Sequence, residues 1–364
     1  MNTLSTLLST INQSVLPAAL QPLEAGASEK IALFVRVINL TEPEQLAERY
    51  HGRGVGCPPK DRLPILQAFL AKAVWNFQTT RALLDRLAYD PTLRRLCGWQ
   101  KAADVPSEAT FSRAFARFAQ DQLPQQLHEA LIKRCLGDKL LGHASTDATA
   151  IVGREKVARK PPKPPKPKAR RGRLPKGEVR PAPQPTRLQV QGSRALAENL
   201  AELPRVADSG AKKNAKGVNQ YWAGYKLHLS VVDGEIPVAA VLTSASLHDS
   251  QVAIPLAQMT AGRVRNLYDV RDGAYDLELI AEFSRSLGHV PLSAPNPAFG
   301  HALPLAPAQQ VRFAERTTVE RVNSDLKDNH GGQAVRVRGA IKVMAHLMLG
   351  VLVVAVKGLF AMLR

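Results

Sequence analysis

Apolar positions recur at helical spacing through the first third of the chain. Pro64 opens a run in which Ile65, Leu66, Phe69, Leu70, Ala73 and Phe77 share one helix face. From Thr80 a second run turns Leu83, Leu84 and Leu87 inward, and Asp90-Pro91 restarts the chain into a short helix ending at Gly98. Ser107 stands at the cap of a helix whose stripe is Phe111, Ala114, Phe115 and Phe118; Leu123, Leu127 and Leu131 mark one more. A further helical segment lies near Lys30–Asn39, while the rest of 1–58 carries no clear pattern. The spacing predicts an all-α domain over 59–138.

Near Leu140 the pattern changes. Leu140–Val152 reads as a buried strand. Tyr225–Val232 and Glu235–Thr243 are β-rich runs joined by Asp233-Gly234, the strongest short hairpin signal. Asp249 then caps a helix through Ala261, closed by Gly262; Arg263–Arg271 is a strand; Asp276 caps a helix ending at Gly288; His289–Ser293 is a last strand. A Pro-rich loop leads into a helix over Phe313–Lys327. The order β, β, β, α, β, α, β, α predicts an antiparallel meander followed by two parallel crossovers. The fold class is therefore α/β, a mixed five-stranded sheet with flanking helices, preceded by the all-α domain. The final segment within 340–364 is almost wholly apolar, but its uncharged core, Leu347–Val356, is ten residues, where a bilayer span needs roughly twenty. It reads as a buried helix covering the sheet, with no membrane partner.

Charge narrows the class of partner. The formal balance of +18, with a pI near 10.1, points to a polyanion, nucleic acid before an anionic membrane surface. Residues 154–187 hold thirteen Lys or Arg against Glu155 and Glu178. The Pro/Lys/Arg-rich stretch 159–192 within this region cannot bury a core, so it is expected to be an extended basic insertion in the second domain, 139–364. It would touch phosphates without sequence preference, or else be a solvated loop. Cys57, Cys97 and Cys135 are odd in number and widely spaced, which favours neither a disulfide framework nor a zinc site. No basic segment followed by an apolar core opens the chain, and a cytoplasmic location is expected.

Three carboxylates carry the candidate chemistry. At 100° per residue Phe313, Arg316, Glu320 and Lys327 fall within a sector of about 60° on one helix face. A surface helix with an Arg316–Glu320 ion pair would also explain that stripe. Asp147 sits within the first strand, where a central carboxylate needs a partner, unless Ser-Thr-Asp forms a turn. Asp272 stands just past the fourth strand, a plausible neighbour of the first at the topological switch of the sheet. Converging beside a basic surface, the three would suit Mg²⁺, which prefers hard oxygen ligands. Two such ions about 4 Å apart can activate a water or a 3′-hydroxyl for in-line attack on a phosphodiester. Arg316 and Lys327 would hold flanking phosphates, and Phe313 would stack or belong to the core. Arg113 and Arg117 would read a DNA groove or form the solvated face of a packing helix. His228, His248 and His330 are scattered, without ligand spacing.

These residues resemble the motifs of DDE transposases of bacterial insertion sequences, in the group whose third motif is Tyr-x2-Arg-x3-Glu-x6-Lys. Phe313-x2-Arg316-x3-Glu320-x6-Lys327 has that spacing throughout. Ser-Thr-Asp147-Ala-Thr resembles the first-aspartate motif and Asp272-Gly-Ala-Tyr275-Asp276 the second. Gly224-Tyr-Lys-Leu-His228 and Leu247-His-Asp-Ser-Gln251 resemble the connecting strands and loop. Gly98-Trp99 and Val105-Pro-Ser-Glu-Ala-Thr-Phe111 resemble the preceding helical domain. The resemblance implies an RNase H-like core, with Asp147, Asp272 and Glu320 both catalytic and metal-ligating. It implies two Mg²⁺ ions with Mn²⁺ able to substitute, double-stranded DNA (terminal inverted repeats and target) as substrate, and a homodimer on DNA. Two departures stand out. Phe313 replaces the tyrosine, and the 48 positions from Asp272 to Glu320 leave no room for the large β insertion of some relatives. The other readings are a catalytically silent DNA-binding protein derived from a transposase and a metal-dependent nuclease on the same fold.

Overall fold

A computed structural model describes residues 28–50, 60–157, 184–213, 217–295 and 305–362. The first region holds α1 (Glu29–Thr41), α2 (Pro43–Ala47), α3 (Arg62–Val74), α4 (Thr80–Tyr89), α5 (Pro91–Leu96), α6 (Glu108–Gln120) and α7 (Leu123–Leu136). Side-chain caps set several of the starts. Asp61 accepts from Leu63 N at 3.0 Å, Thr79 from Ala82 N at 3.1 Å and Asp90 from Leu93 N at 3.0 Å, each satisfying an otherwise orphan amide. Ser107 occupies the cap position of α6, but its hydroxyl pairs with that of Thr110 instead. The apolar stripes meet in one core, where Phe69 packs against Phe111 and Phe115 with ring centroids 5.6 and 4.9 Å apart.

Next come β1 (Leu140–Val152), α8 (Arg187–Gln191), α9 (Leu196–Glu202), β2 (Asp208–Lys213), β3 (Asn219–Val232), β4 (Ile236–Ser244) and α10 (Ser250–Ala261). The chain continues through β5 (Arg265–Arg271), α11 (Glu278–Ser286), β6 (Val290–Ser293), α12 (Pro307–Phe313), α13 (Thr317–Asn329) and α14 (Ala340–Ala361). β3 runs antiparallel to β1 and β4; β1 pairs β5 in parallel, and β5 pairs β6 in parallel. The expected meander and crossovers are thus present. The sheet has six strands among the described residues, however, because β2 pairs with the outer half of β3. Its sequence, Asp-Ser-Gly-Ala-Lys-Lys, has no apolar alternation to betray it.

The basic stretch expected over 159–192 divides in two. Residues 158–183, like 1–27 and 51–59, lie outside the described residues. Over Arg187–Gln191, by contrast, the chain is helical, with Leu188 and Gln191 buried. Gln191 Nε2 donates to Gln251 O at 2.8 Å, and Asn199 Nδ2 donates to Gln191 O at 2.9 Å. Buried amides paired with backbone offset the low apolar content that suggested an extended chain.

The β3–β4 turn spans three residues, with Gly234 and Glu235 both at positive φ. Asp233 within it accepts from Gly142 N at 2.5 Å and His143 N at 3.2 Å, tying the hairpin to the start of β1. At the other end of β1 the strands close on Gly224, φ +147°, where a Cβ would lie 2.3 Å from Ile151 O. α14 joins the two regions. Leu349, Leu352, Val353 and Val356 enter the helical core, while Leu347, Val351 and Val354 pack with α13 and β3. By length and composition α14 could cross a bilayer, but most of it is buried inside the protein on all sides.

Candidate active site

Register places the first two aspartates together. The parallel β1–β5 ladder ends at Thr146 opposite Arg271, so one further step sets Asp147 beside Asp272. Asp147 also faces Leu229 across β3, on the side of the sheet covered by α13. Its carboxylate accepts from Asn323 Nδ2 of α13 at 3.3 Å. Asp272 accepts from Ala274 N at 2.9 Å, which shapes the tight turn Gly273–Tyr275.

Both groups are uncomfortable as anions. Burial, with Asp272 and Asp249 adding like charge, pushes Asp147 up to about 6, against a backbone hydrogen bond and the Lys212 cation. Burial and then Asp249 raise Asp272, opposed by the Ala274 amide, Arg316 and Lys212. Tyr275 is fully buried beneath them, and burial followed by the same three aspartates holds its phenol well above the ordinary range.

Asp249 was legible only as a helix cap. It does occupy that position on α10, but it caps no amide and accepts instead from Lys226 Nζ of β3 at 2.8 Å. Lys226 is held in turn by Leu247 O at 2.9 Å. Lys212, on the strand the hydrophobic pattern overlooked, joins the same field, as does Lys327. Burial first and Lys212 second lower the Lys327 ammonium, against Asp328 and Asp147. Burial drives His228, bonded to Thr243 Oγ1 at 2.9 Å, down to about 4, so it stays neutral.

The third motif is built differently from one continuous stripe. α12 ends at Phe313, a single 3₁₀ turn covers Ala314–Arg316, and α13 begins at Thr317. Thr317 Oγ1 donates back to Ala314 O at 3.0 Å, a local back-bond of the kind that bends a helix. Glu320 is half exposed and accepts from Arg316 at 2.7 Å. Among the described residues, no three His, Cys, Asp or Glu side chains are disposed to hold one ion. Asp147 and Asp272 meet; Glu320 lies one helical turn before Asn323, occupied by Arg316. Phe313 is half-buried, outside the hydrophobic clusters, with the Arg316 guanidinium 5.8 Å from its ring centroid.

The helical-region arginines stand apart. Arg113 is exposed on α6, and Arg117 pairs with Asp121 at 2.8 Å. Asp276 does not cap α11, whose cap position is Leu277.

Two families match the chain. "Transposase DDE domain" covers residues 185–355, and a second transposase domain covers residues 21–117. The first match contains Asp272 and Glu320 but begins after β1, so Asp147 precedes it. No curated protein matches the chain. With two transposase domains in succession on a mixed sheet flanked by helices, the chain belongs to the DDE-type transposases of the insertion-sequence kind, DNA-acting polynucleotidyl transferases.

Proposed function

We propose that this transposase cleaves DNA at the ends of its insertion sequence and joins the freed 3′-hydroxyl to target DNA. In this reading Asp147, Asp272 and Glu320 are the acidic residues, and Mg²⁺ is the physiological ion. The observation that carries it is the pairing of Asp147 with Asp272 across β1 and β5, each raised by burial and by neighbouring carboxylates. Two hard-oxygen donors that disfavour their own charge are suited to a small divalent cation, and DDE transposases use divalent metals. Two such ions, with Mn²⁺ able to substitute, would polarise the phosphodiester and acidify the attacking water or hydroxyl.

The chain's own residues supply the rest. Asn323 fixes one Asp147 oxygen. Asp249 adds like charge to the pair, which raises both carboxyls, while Lys226 holds it in place. Arg316 holds Glu320 until DNA arrives; a phosphate taking the guanidinium would release the carboxylate on the helix face that carries Asn323. Lys327, two turns along the same helix, adds a second phosphate contact. The substrate would be double-stranded DNA, ends and target, bound by a homodimer in the cytoplasm.

The test is incubation of the full chain with Mg²⁺ and duplexes carrying the cognate ends, scoring nicks and joined products separately. Joined products with Mg²⁺, and none with a chelator, are expected. Nicks without joining would make it a nuclease, and binding without either would make it a silent descendant.

A further inference from the structure

Away from the carboxylates, a cleft of about 410 Å³ opens where the helical region meets the catalytic core. Its floor holds Lys72 of α3, only 8% exposed. Among the described residues Lys72 has no carboxylate partner, and burial alone depresses its ammonium, to about 8. A buried, unpaired ammonium is costly, and natural interiors seldom tolerate one without a counter-ion. Arg154, Arg336, Arg338 and Lys342 form the exposed rim, with Glu108 the single lining carboxylate. Among the described residues none of these four cations forms an ion pair; Arg154 instead donates to Arg336 O at 3.2 Å. Thr79 and Ser112 also line the cleft.

We propose that this cleft seats a backbone phosphate of the DNA, with Lys72 as its buried contact and the four rim cations as its entrance. The charge asymmetry carries the argument. Four unpaired cations converge over a fifth that the fold has buried without compensation, beside hydroxyl-bearing residues. The walls come from both regions: Lys72 and Ser112 from helices α3 and α6, Arg336 and Arg338 from the segment leading into α14, and Lys342 from the first turn of α14. A phosphate bound there would be gripped by both at once, coupling DNA held by the helical region to the core. A diester fits better than a free metabolite because the rim is open and exposed.

The inference rests on the reading of the chain as a DNA-acting enzyme, and the test keeps the two apart. Affinity of the full chain for an end-bearing duplex would be measured against salt for wild type, Lys72→Met and Arg338→Ser. One lost phosphate contact lowers the slope of log K against log salt by about 0.9 and weakens binding about tenfold near 0.1 M salt. Lys72→Met should show both, with an unchanged or higher Tm, since methionine fills the same space without the charge. Arg338→Ser, on the rim, tests the site without touching the core and should show the same direction. Wild-type slope and affinity in both variants would overturn the cleft as a DNA contact, leaving the transposase reading intact. No binding by wild type would instead defeat the DNA reading itself. Inorganic phosphate at millimolar concentration separates the other source: raising the Tm of wild type but not of Lys72→Met, with equal DNA affinity in the two, would make this a free-phosphate site and overturn the proposal.

Discussion

Asp269 on strand β5 and Asp272 just past its end stand three residues apart with opposite fates. Asp269 is 4% exposed, yet Arg271 reaches it at 3.0 Å and His289 lies 3.3 Å away. Burial works against its charge, but Arg271 and His289 outweigh burial and hold its carboxyl well below the usual range. Arg271 also donates to Ser284 Oγ at 2.9 Å, so the cluster is closed in charge, although Arg271 Nε is left without a hydrogen-bond partner. Asp272, at the strand's end, has Asp147 and Asp249 as neighbours and its cations at a distance, and it is shifted the other way. One strand and its exit thus hold a neutralised anchor and one half of an uncompensated pair, whose other half, Asp147, is on β1. A closed network fixes position; an open one has room for a ligand.

The largest expected effect breaks the open pair. Asp147→Ala or Asp272→Ala should lower cleavage by about a hundredfold or more, the scale on which loss of one electrostatic stabiliser acts, with end binding within a few-fold of wild type. Glu320→Ala should do the same if Arg316 hands its carboxylate over to the site. Single-turnover cleavage with parallel binding measurements decides each, and cleavage near wild type would remove that residue from the acidic set.

Breaking the closed network should affect stability instead. Asp269→Ala leaves Arg271 buried and unpaired, which costs about 3–5 kcal/mol. The readout is chemical denaturation. A loss below 1 kcal/mol would mean that the pair is not the anchor described.

The contrast also has a pH signature. Asp147 has a folded pKa of about 6, above its ordinary value, so its ionisation opposes folding. The penalty is absent below the unfolded pKa, grows as pH rises through 6, and is complete above it. At full ionisation it amounts to about 3 kcal/mol. In metal-free buffer Asp147→Asn should therefore be the more stable protein at pH 8 and equal to wild type below pH 4. Equal stability at both pH values would place the carboxylate in water.

Much of this was legible in the sequence, for identifiable reasons. Amphipathic spacing gave α3, α4, α6 and α7, because each buries one stripe. Apolar strands next to turn residues gave β1, β3, β4 and β5, and the topological switch of such a sheet suggested β1 and β5 as neighbours, hence Asp147 near Asp272. What escaped was polar. β2 is held by backbone ladder bonds rather than by an apolar face, so Lys212 went unseen. α8 is secured by buried glutamine and asparagine amides, which look like loop in composition. Asp249 resembled a cap because local sequence cannot show Lys226, twenty-three positions earlier and one strand away. The motif spacing set Arg316 and Glu320 on one helix face, but spacing is blind to rotamer. The Arg316–Glu320 ion pair of the plain surface-helix reading is the one that forms.

The smallest effect concerns Phe313, where the third motif departs from tyrosine. A core role would bury the ring among apolar side chains, and truncation would then cost several kcal/mol. The ring is instead half-buried at the end of α12, outside the hydrophobic clusters, with the Arg316 guanidinium over it at 5.8 Å from the centroid. At a partly exposed site such a cation–π contact is worth about 0.5–1 kcal/mol. Phe313→Ala should therefore lower stability by no more than roughly that amount plus modest lost packing. Its larger consequence falls on Arg316, which loses one of the two groups that orient it and so trades Glu320 for phosphate more freely. Phe313→Tyr keeps the ring face and should match wild type in Tm, whereas Phe313→Leu keeps bulk without the π face and should behave like alanine toward Arg316. Comparing the salt dependence of cleavage across the three variants isolates this contact. A drop of several kcal/mol for alanine would return Phe313 to the core, and identical kinetics for leucine and wild type would show that its ring does not steer Arg316.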